Sequence, residues 1–300
     1  MKKFLYSGLL LGMMITASTI VGCSSDDSST EVITPNPNDP NNPTDPNNPT
    51  DPNNPTGAKY VHKVLLEDIT GTWCSACPVG SAAIKQAKAN AANGDKIIAA
   101  AIHIGQSGYP DPMQIQAGAN LYSSFFIPNY GEGGSFYFPT ITINRATAKW
   151  SQQGLAQFFN AINQNGSSVG IKISSDLTNT GGTISANFKF SEGYQDLKYS
   201  VYVIEHDVKT NSAQVGTSEG VNYIHQDVLR AISGTVTGNV LGTVAKDQEV
   251  SKTGQAVTYT LFNNNLSKVE VIVFVTDSSG KILNVQSAKA NETVDYQVIQ

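Results

Sequence analysis

The sequence predicts an α/β domain over residues 58–166 followed by an all-β, sandwich-like domain over residues 167–300. Three observations carry this. Strand and helix patterns alternate up to Gly166, around a run from Lys96 to Ile104 that is almost wholly apolar, as suits a parallel strand buried on both faces. Beyond Gly166 the texture changes to short period-two runs separated by Gly, Asn, Asp and Ser. Residues 34–57, by contrast, offer no apolar area from which a core could form.

The chain begins with Lys2 and Lys3 and continues apolar from Phe4 to Val21, the layout of a secretory signal over residues 1–22. Ile20-Val21-Gly22-Cys23 resembles the bacterial lipobox, whose cysteine takes diacylglycerol and becomes the mature N-terminus. That resemblance implies attachment to the membrane through lipid on Cys23 and an outer-membrane location. About 18 mostly apolar residues would nearly span a bilayer, but the Gly-Cys ending and the Ser- and Asp-rich stretch after it favour cleavage. Ser24-Ser25-Asp26-Asp27 reads either as a signal for the outer face of that membrane or as a solvated spacer, so the side stays open. From Thr34 to Gly57, Pro, Asn, Asp and Thr recur in near-identical hexapeptides, Asn38 to Pro43, Thr44 to Pro49 and Thr50 to Pro55. Such a tether of about 35 residues reaches on the order of 100 Å extended and roughly 35 Å as a flexible coil. A net charge of −5 with sparse charged residues argues against nucleic acid or an anionic membrane surface as partner.

Within 58–166, Val61 to Ile69 reads as a strand and the Ala-rich stretch from Val79 to Ala92, stopped by Asn93-Gly94, as a helix. Ile115, Ala119, Tyr122 and Phe126 at helical spacing predict a second helix. Pro139 opens a short strand, Thr140 to Asn144, and Ser151 to Gln164 reads as an amphipathic helix with Leu155, Phe158, Phe159 and Ile162 inward. The stretch from about Gly105 to Tyr137 is either a lid or peptide-binding wall, or a packed Ω-loop. In 167–300, Val169 to Ile173, Thr183 to Phe190, Tyr199 to Glu205, Ala256 to Leu261 and Val269 to Val275 predict strands, and Asp277 to Gly280 a hairpin turn before Ile282. Tyr223 to Ile232 fits neither pattern and reads as a helical turn or a long connection.

Cysteines number three. With Cys23 assigned to lipid, Cys74 and Cys77 remain in Thr72-Trp73-Cys74-Ser75-Ala76-Cys77-Pro78, with no further cysteine for a wider disulfide framework. A Cys-x-x-Cys between a strand and a helix places its first sulfur at the helix N-terminus, where unpaired N–H groups and the positive end of the dipole stabilise a thiolate. Cys74 is therefore the candidate nucleophile and Cys77, one turn on, the candidate resolving thiol. Trp73 would cover the pair, and Pro78 suits a first helical turn. A zinc site would need further ligands, and His62 and His103 have no close partner at the usual spacing. An inert Cys74–Cys77 disulfide in an oxidising compartment stays open as the plainer reading.

This arrangement resembles the thioredoxin superfamily. The resemblance implies a thioredoxin-like fold for the first domain and a buried acid at Asp68 that moves the resolving cysteine's proton, with Glu67 the alternative. It also implies a cis-proline at Pro139 in Phe138-Pro139-Thr140, facing the disulfide and receiving a substrate's extended chain. Ser75-Ala76 departs from the Gly-Pro of thioredoxin itself. The lipobox, Glu67 to Pro78, Ile143-Asn144-Arg145 after Pro139, and Tyr223 to Arg230 are together similar to the outer membrane protein 28 family of lipoproteins. That similarity implies a thioredoxin-like domain followed by a β-rich one, and puts His225 and Arg230 in a fixed connection of the second domain.

Two functions of different class follow. In the first, Cys74 attacks and Cys77 resolves in thiol–disulfide exchange on exported proteins, with Asp68 assisting proton transfer and Pro139 presenting the partner backbone. In the second, the same scaffold displays a surface for an unknown ligand and the disulfide is a staple. The sequence carries no second Cys pair, nucleotide motif or haem motif, so no cofactor is expected and any electrons must come from outside the chain.

Overall fold

The structure, a computed structural model, describes residues 60–299 apart from Gly134, Thr147, Ala148 and Gln153. The expected signal, the lipid-bearing Cys23 and the tether lie outside these residues.

Strand β1 (Val64–Thr70) is buried along its whole length. It leads through the Cys74 turn into α1 (Cys77–Lys88), which starts with Pro78 in its first turn and ends with Lys85 and Lys88 in its last. Gly80, Ala83, Ile84 and Ala87 form the buried stripe of that helix. Strand β2 (Ile97–His103) returns parallel to β1, setting Val64 opposite Ile97 and Thr70 opposite His103, so the three elements make a βαβ unit. A cis Phe138–Pro139 bond precedes β3 (Thr140–Ile143), which runs antiparallel along the other edge of β1.

Between β2 and β3 the chain forms α2 (Gln116–Leu121), a π-helical turn (Tyr122–Phe126) and α3 (Ile127–Tyr130). Leu121, Phe126 and Tyr130 pack on Ile98, Ile102, Tyr202 and Phe274. Residues 116–130 of this stretch therefore cover one face of the sheet as core, while Tyr109 and Tyr137 at its two ends are exposed. The helix expected over 151–164 shortens to α4 (Ala156–Asn160). Gly154 has φ +98°, a left-handed conformation that a continuous right-handed helix cannot contain, and its carbonyl accepts Trp150 Nε1–H at 2.9 Å.

The rest of the chain supplies β4 (Val169–Thr178), β5 (Gly181–Phe190), β6 (Tyr194–Glu205), β7 (Val228–Ser233), β8 (Asn239–Val244), β9 (Glu249–Thr258), β10 (Val269–Thr276) and β11 (Ile282–Lys289). They do not form a separate sandwich. One eight-stranded sheet runs β11-β10-β6-β7-β2-β1-β3, with β8 on β6, and β4-β5-β9 form a second sheet. The large sheet thus crosses the boundary expected at 166/167. The join is β7 beside β2, where Ala101 faces Val228 and the Ala101 N–H donates to the Asp227 carbonyl at 2.7 Å. Residues 228–232, read from sequence as part of a helical turn or a long connection, are therefore strand. The sandwich character holds locally: Ile171 and Phe188 of the small sheet pack against Val201, Val203, Val271 and Val273 of the large one.

Period-two alternation sorts β1 between two faces. Val64 and Leu66 pack with Ala83, Ile84 and Ala87 of α1, while Leu65 and Ile69 pack with the helical segment and with β6 and β10. Glu67 lies on the second face, fully buried, and pairs with Arg145 through Nε–Oε2 and Nη2–Oε1 contacts of 2.8 Å each. Tyr202 OH donates to Glu67 at 3.0 Å and accepts from Arg145 at 2.7 Å. Phe125 and Phe274 lie 4.4 and 4.9 Å from the guanidinium. Arg145→Met leaves the Glu67 carboxylate buried without its cation, and is expected to cost about 3–5 kcal/mol of unfolding free energy in chemical denaturation; a cost below about 1 kcal/mol would contradict this role.

Candidate functional site

Cys74 and Cys77 are joined, with Sγ–Sγ 2.12 Å and Cα–Cα 5.4 Å. Both are buried, at 5% and 1% exposure. The turn that carries them is held from below. Thr72 N–H donates to Asp111 Oδ2 at 2.7 Å, and Trp73 Nε1–H donates to the Ile104 carbonyl at 2.7 Å. The Trp73 ring meets Phe138 edge-on at 4.9 Å between centroids, which brings the residue before Pro139 against the residue before Cys74. Pro139 itself abuts α1: a Cβ on Gly80 would stand 3.5 Å from both Pro139 Cβ and Cγ. The cis bond that the sequence resemblance implied is present.

Asp68 is on the α1 face of β1, 1% exposed. Ser81 Oγ donates to its Oδ2 across 3.5 Å, and Oδ1 has no hydrogen-bond partner among the described residues. Ser81 follows Cys77 by four residues and so shares its helix face. Burial pushes the Asp68 carboxyl up to about 7; the Ser81 hydrogen bond opposes that rise and the Asp227 charge adds to it. Glu67, the other acid the sequence offered, is committed to Arg145 and Tyr202 on the opposite face and cannot reach α1.

A cavity of about 720 Å³ opens beside Asp68. Ser81, Lys85 and Lys88 of α1 form one wall, Thr70 and His103 belong to its floor, and Tyr223, His225 and Asp227 of the β6–β7 connection close the far side. His103 Nδ1 lies 2.9 Å from Asp111 Oδ2. Burial alone would raise Asp111, but the charge on His103 and hydrogen bonds from His103, Thr72 and Met113 hold its carboxyl below the usual carboxylate value. The His225 ring stands edge-on to His103 at 5.2 Å, and burial first, then the His103 charge, depress it to about 3. Arg230 Nε donates to the Thr260 carbonyl at 2.9 Å, and its guanidinium lies 4.9 Å from Phe262, which fixes the start of β7. Gln214, from the β6–β7 connection, donates its side-chain N–H to the Cys74 carbonyl at 3.1 Å.

Cys74, Cys77, Asp68 and Pro139 are thus gathered around the N-terminal turns of α1. Asp111 and Gln214 were not legible in sequence as site residues, because they reach the turn from loops 39 and 140 positions away from their partners. Among the described residues, no group of three or more His, Cys, Asp and Glu side chains is placed to hold a metal ion. Among the same residues, no helix is long and apolar enough to cross a membrane.

The family model for outer membrane protein Omp28 matches residues 126–294, from the π-helical turn to just beyond β11. The chain belongs to the Omp28 outer membrane protein family. The Omp28 family places the chain at the outer membrane, and its matched span begins after Cys77. Among solved structures, HBP35 of Porphyromonas gingivalis superposes with a TM-score of 0.63 at 18% identity, over 78% of this chain and 77% of that one. A crystal structure of an Agrobacterium tumefaciens protein superposes with a TM-score of 0.50 at 12% identity, over 79% of this chain and 98% of that one. At these identities the likeness is one of fold. No curated protein sequence matches the chain.

The Asp68 value has a consequence for stability. The folded carboxyl keeps its proton up to about pH 7, whereas an aspartate in the unfolded chain ordinarily gives up its proton near 3.8. Between those values the unfolded chain releases a proton that the fold retains, so this group makes the fold less stable as pH rises, by about 4 kcal/mol in all above pH 7. His225, depressed to about 3, and His62, depressed to about 4, work the other way, losing stability as pH falls below 6.5. The difference between Asp68→Asn and the parent isolates the carboxyl. Denaturation from pH 4 to 8 is expected to show the variant gaining on the parent steadily up to pH 7 and no further above it; a difference independent of pH would rule out a raised Asp68.

Proposed function

We propose that the chain is a lipid-anchored outer-membrane protein whose β1–α1–β2–β3 unit is thioredoxin-like and exchanges disulfides with thiols of exported proteins. The parallel βαβ unit with Cys-x-x-Cys at its helix N-terminus supports this reading, as does a cis-proline strand antiparallel to β1. The observation that carries it is Asp68. A disulfide that only stapled the fold gives no reason for a buried carboxyl with an unpaired oxygen on the α1 face of β1, hydrogen-bonded to Ser81 one helical turn after Cys77, an arrangement that costs about 1–3 kcal/mol or more.

In the exchange, a client thiolate attacks Cys74 Sγ, the Cys74–Cys77 bond breaks, and the electron pair goes to Cys77 Sγ, which takes the proton held by Asp68. A second client thiolate then attacks the client sulfur of the mixed disulfide and releases the Cys74 thiolate. The client leaves with a disulfide and the protein with a dithiol, two electrons having passed from one to the other. In reverse, Asp68 takes the Cys77 proton. A carboxyl titrating near neutrality serves both directions.

The near-complete burial of both sulfurs favours the second reading, a surface-displayed binding module with an inert disulfide. Trapping separates the two. Cys77→Ser is expected to accumulate mixed disulfides through Cys74 in cells, visible on non-reducing gels and identifiable by mass spectrometry, and Cys74→Ser to accumulate none. Absence of adducts together with a reduction potential below about −300 mV would establish the staple. The anchor has its own test: Cys23→Ser is expected to abolish labelling by a fatty-acid probe and to free the protein from the membrane fraction, and a labelled variant would refute lipidation at Cys23.

A further inference from the structure

The connection between β6 and β7 passes directly over the Cys-x-x-Cys turn. Val215 N–H donates to the Thr72 carbonyl at 2.8 Å. The Gln214 side-chain amide donates to the carbonyls of Gly71 at 3.4 Å and Cys74 at 3.1 Å. Gly216 has φ +86°, and a Cβ there would stand 2.1 Å from the Ser75 carbonyl oxygen and 2.8 Å from its carbon. Only a residue without a side chain lies this flat against Ser75. The strap is braced on itself, Gln214 N–H donating to the Gly220 carbonyl at 3.0 Å and Thr217 Oγ to the Gln214 carbonyl at 3.2 Å.

Where it crosses the turn, what holds the strap down is polar. Val215 and Val221 are each 47% exposed and Ile224 is 53% exposed, and the connection's buried apolar anchor, Val208, sits with Met113 and Val228 away from residues 214–216 in sequence. Segments tied by backbone hydrogen bonds with little apolar burial are the ones that open locally. What lies underneath needs such opening, because a thiolate must approach Cys74 Sγ along the Cys74–Cys77 bond, and exchange rates depend on that access. Cys74 is 5% exposed, so little of it is open to such an approach.

We propose that Gln214–Val215–Gly216 is an internal stand-in for the client, occupying the place over the turn that an extended polypeptide takes when it reacts. The inference rests on the exchange reading above and names its substrate class. A client is an extended segment that replaces the Val215 N–H on the Thr72 carbonyl with its own and has glycine or another small residue where Gly216 crosses Ser75. A folded protein with a cysteine in a rigid element does not fit, whereas an unfolded exported chain does. The strap sets selectivity by making every client displace it.

The test uses the full chain with its disulfide closed. Reduction is followed by thiol labelling with two reductants, a small phosphine and a reduced, unstructured peptide carrying cysteine next to glycine. Gly216→Val cannot seat the strap and is expected to accelerate reduction by both, on the order of tenfold or more for the three hydrogen bonds released. Gln214→Ala keeps the backbone intact and carries the same expectation if the first variant fails to fold. In the parent protein, the peptide with glycine beside its cysteine is expected to react faster than one with tryptophan there. Unchanged rates in folded variants would overturn the proposal, and so would acceleration by phosphine without acceleration by peptide, or indifference to the flanking residue. Failure of Cys77→Ser to capture any client would remove the exchange reading and leave the phosphine measurement to report on the strap, so the two fail separately.

Discussion

The fold turns on the burial of one ion pair, Glu67 with Arg145. Removing two charges from water costs several kcal/mol for each, and only close, complete partnering offsets it. Here the partnering is close. Two 2.8 Å contacts, the Tyr202 hydroxyl and two aromatic faces surround the pair. Those partners come from β1, the end of β3, β6, β10 and the helical segment ahead of α3, and they meet only when both halves of the chain are in place. The pair therefore ties the two halves together, alongside the β2–β7 pairing that joins their strands in one sheet.

The same pair fixes the chemistry on the other side of β1. With Glu67 committed to one face, alternation obliges Asp68 to face α1. A slip of one residue in the β1–β2 register would exchange the two acids, setting the compensated carboxylate under the cysteines and the uncompensated one among aromatic rings. Two adjacent carboxylates thus have opposite fates from a single constraint. One is satisfied on every side; the other is left with an unpaired oxygen beside a cavity. The uncompensated one is the exception in a core that elsewhere satisfies its buried acid, which is what singles it out for the proposed exchange.

The local features of this arrangement were legible in the sequence. The apolar run of β2, the Cys-x-x-Cys between strand and helix, the alternation of β5 and β10 and the Pro139 turn are each set within a few residues of chain. What escaped was non-local or broke the local pattern. Strand β7 was hidden because Arg230 interrupts its apolar run and Asp227, at φ 58°, reads as a turn residue immediately before it. Its neighbour in the sheet, β2, is more than a hundred residues earlier, so no sequence pattern announces the pairing. Helix α4 was overestimated because four inward apolar residues outweighed one glycine. The strap was invisible for a plainer reason: Gly216 is one of 26 glycines in the sequence, and nothing near it says that its Cα rests on the backbone of Ser75.

Periodicity divides the chain into an α/β unit carrying the Cys-x-x-Cys and a β-rich module, and the pairing of β2 with β7 alters what that division means. A chain ending near residue 166 would retain Cys74, Cys77, Asp68 and Pro139, but it would lose Tyr202 and Phe274 from around the Glu67–Arg145 pair and expose the edge of β2. It would also lose Gln214 to Gly216 from over the disulfide. The first two losses bear on whether the unit folds, and the third removes what covers the Cys-x-x-Cys turn. The cover over that turn is supplied to the first half of the chain by the second.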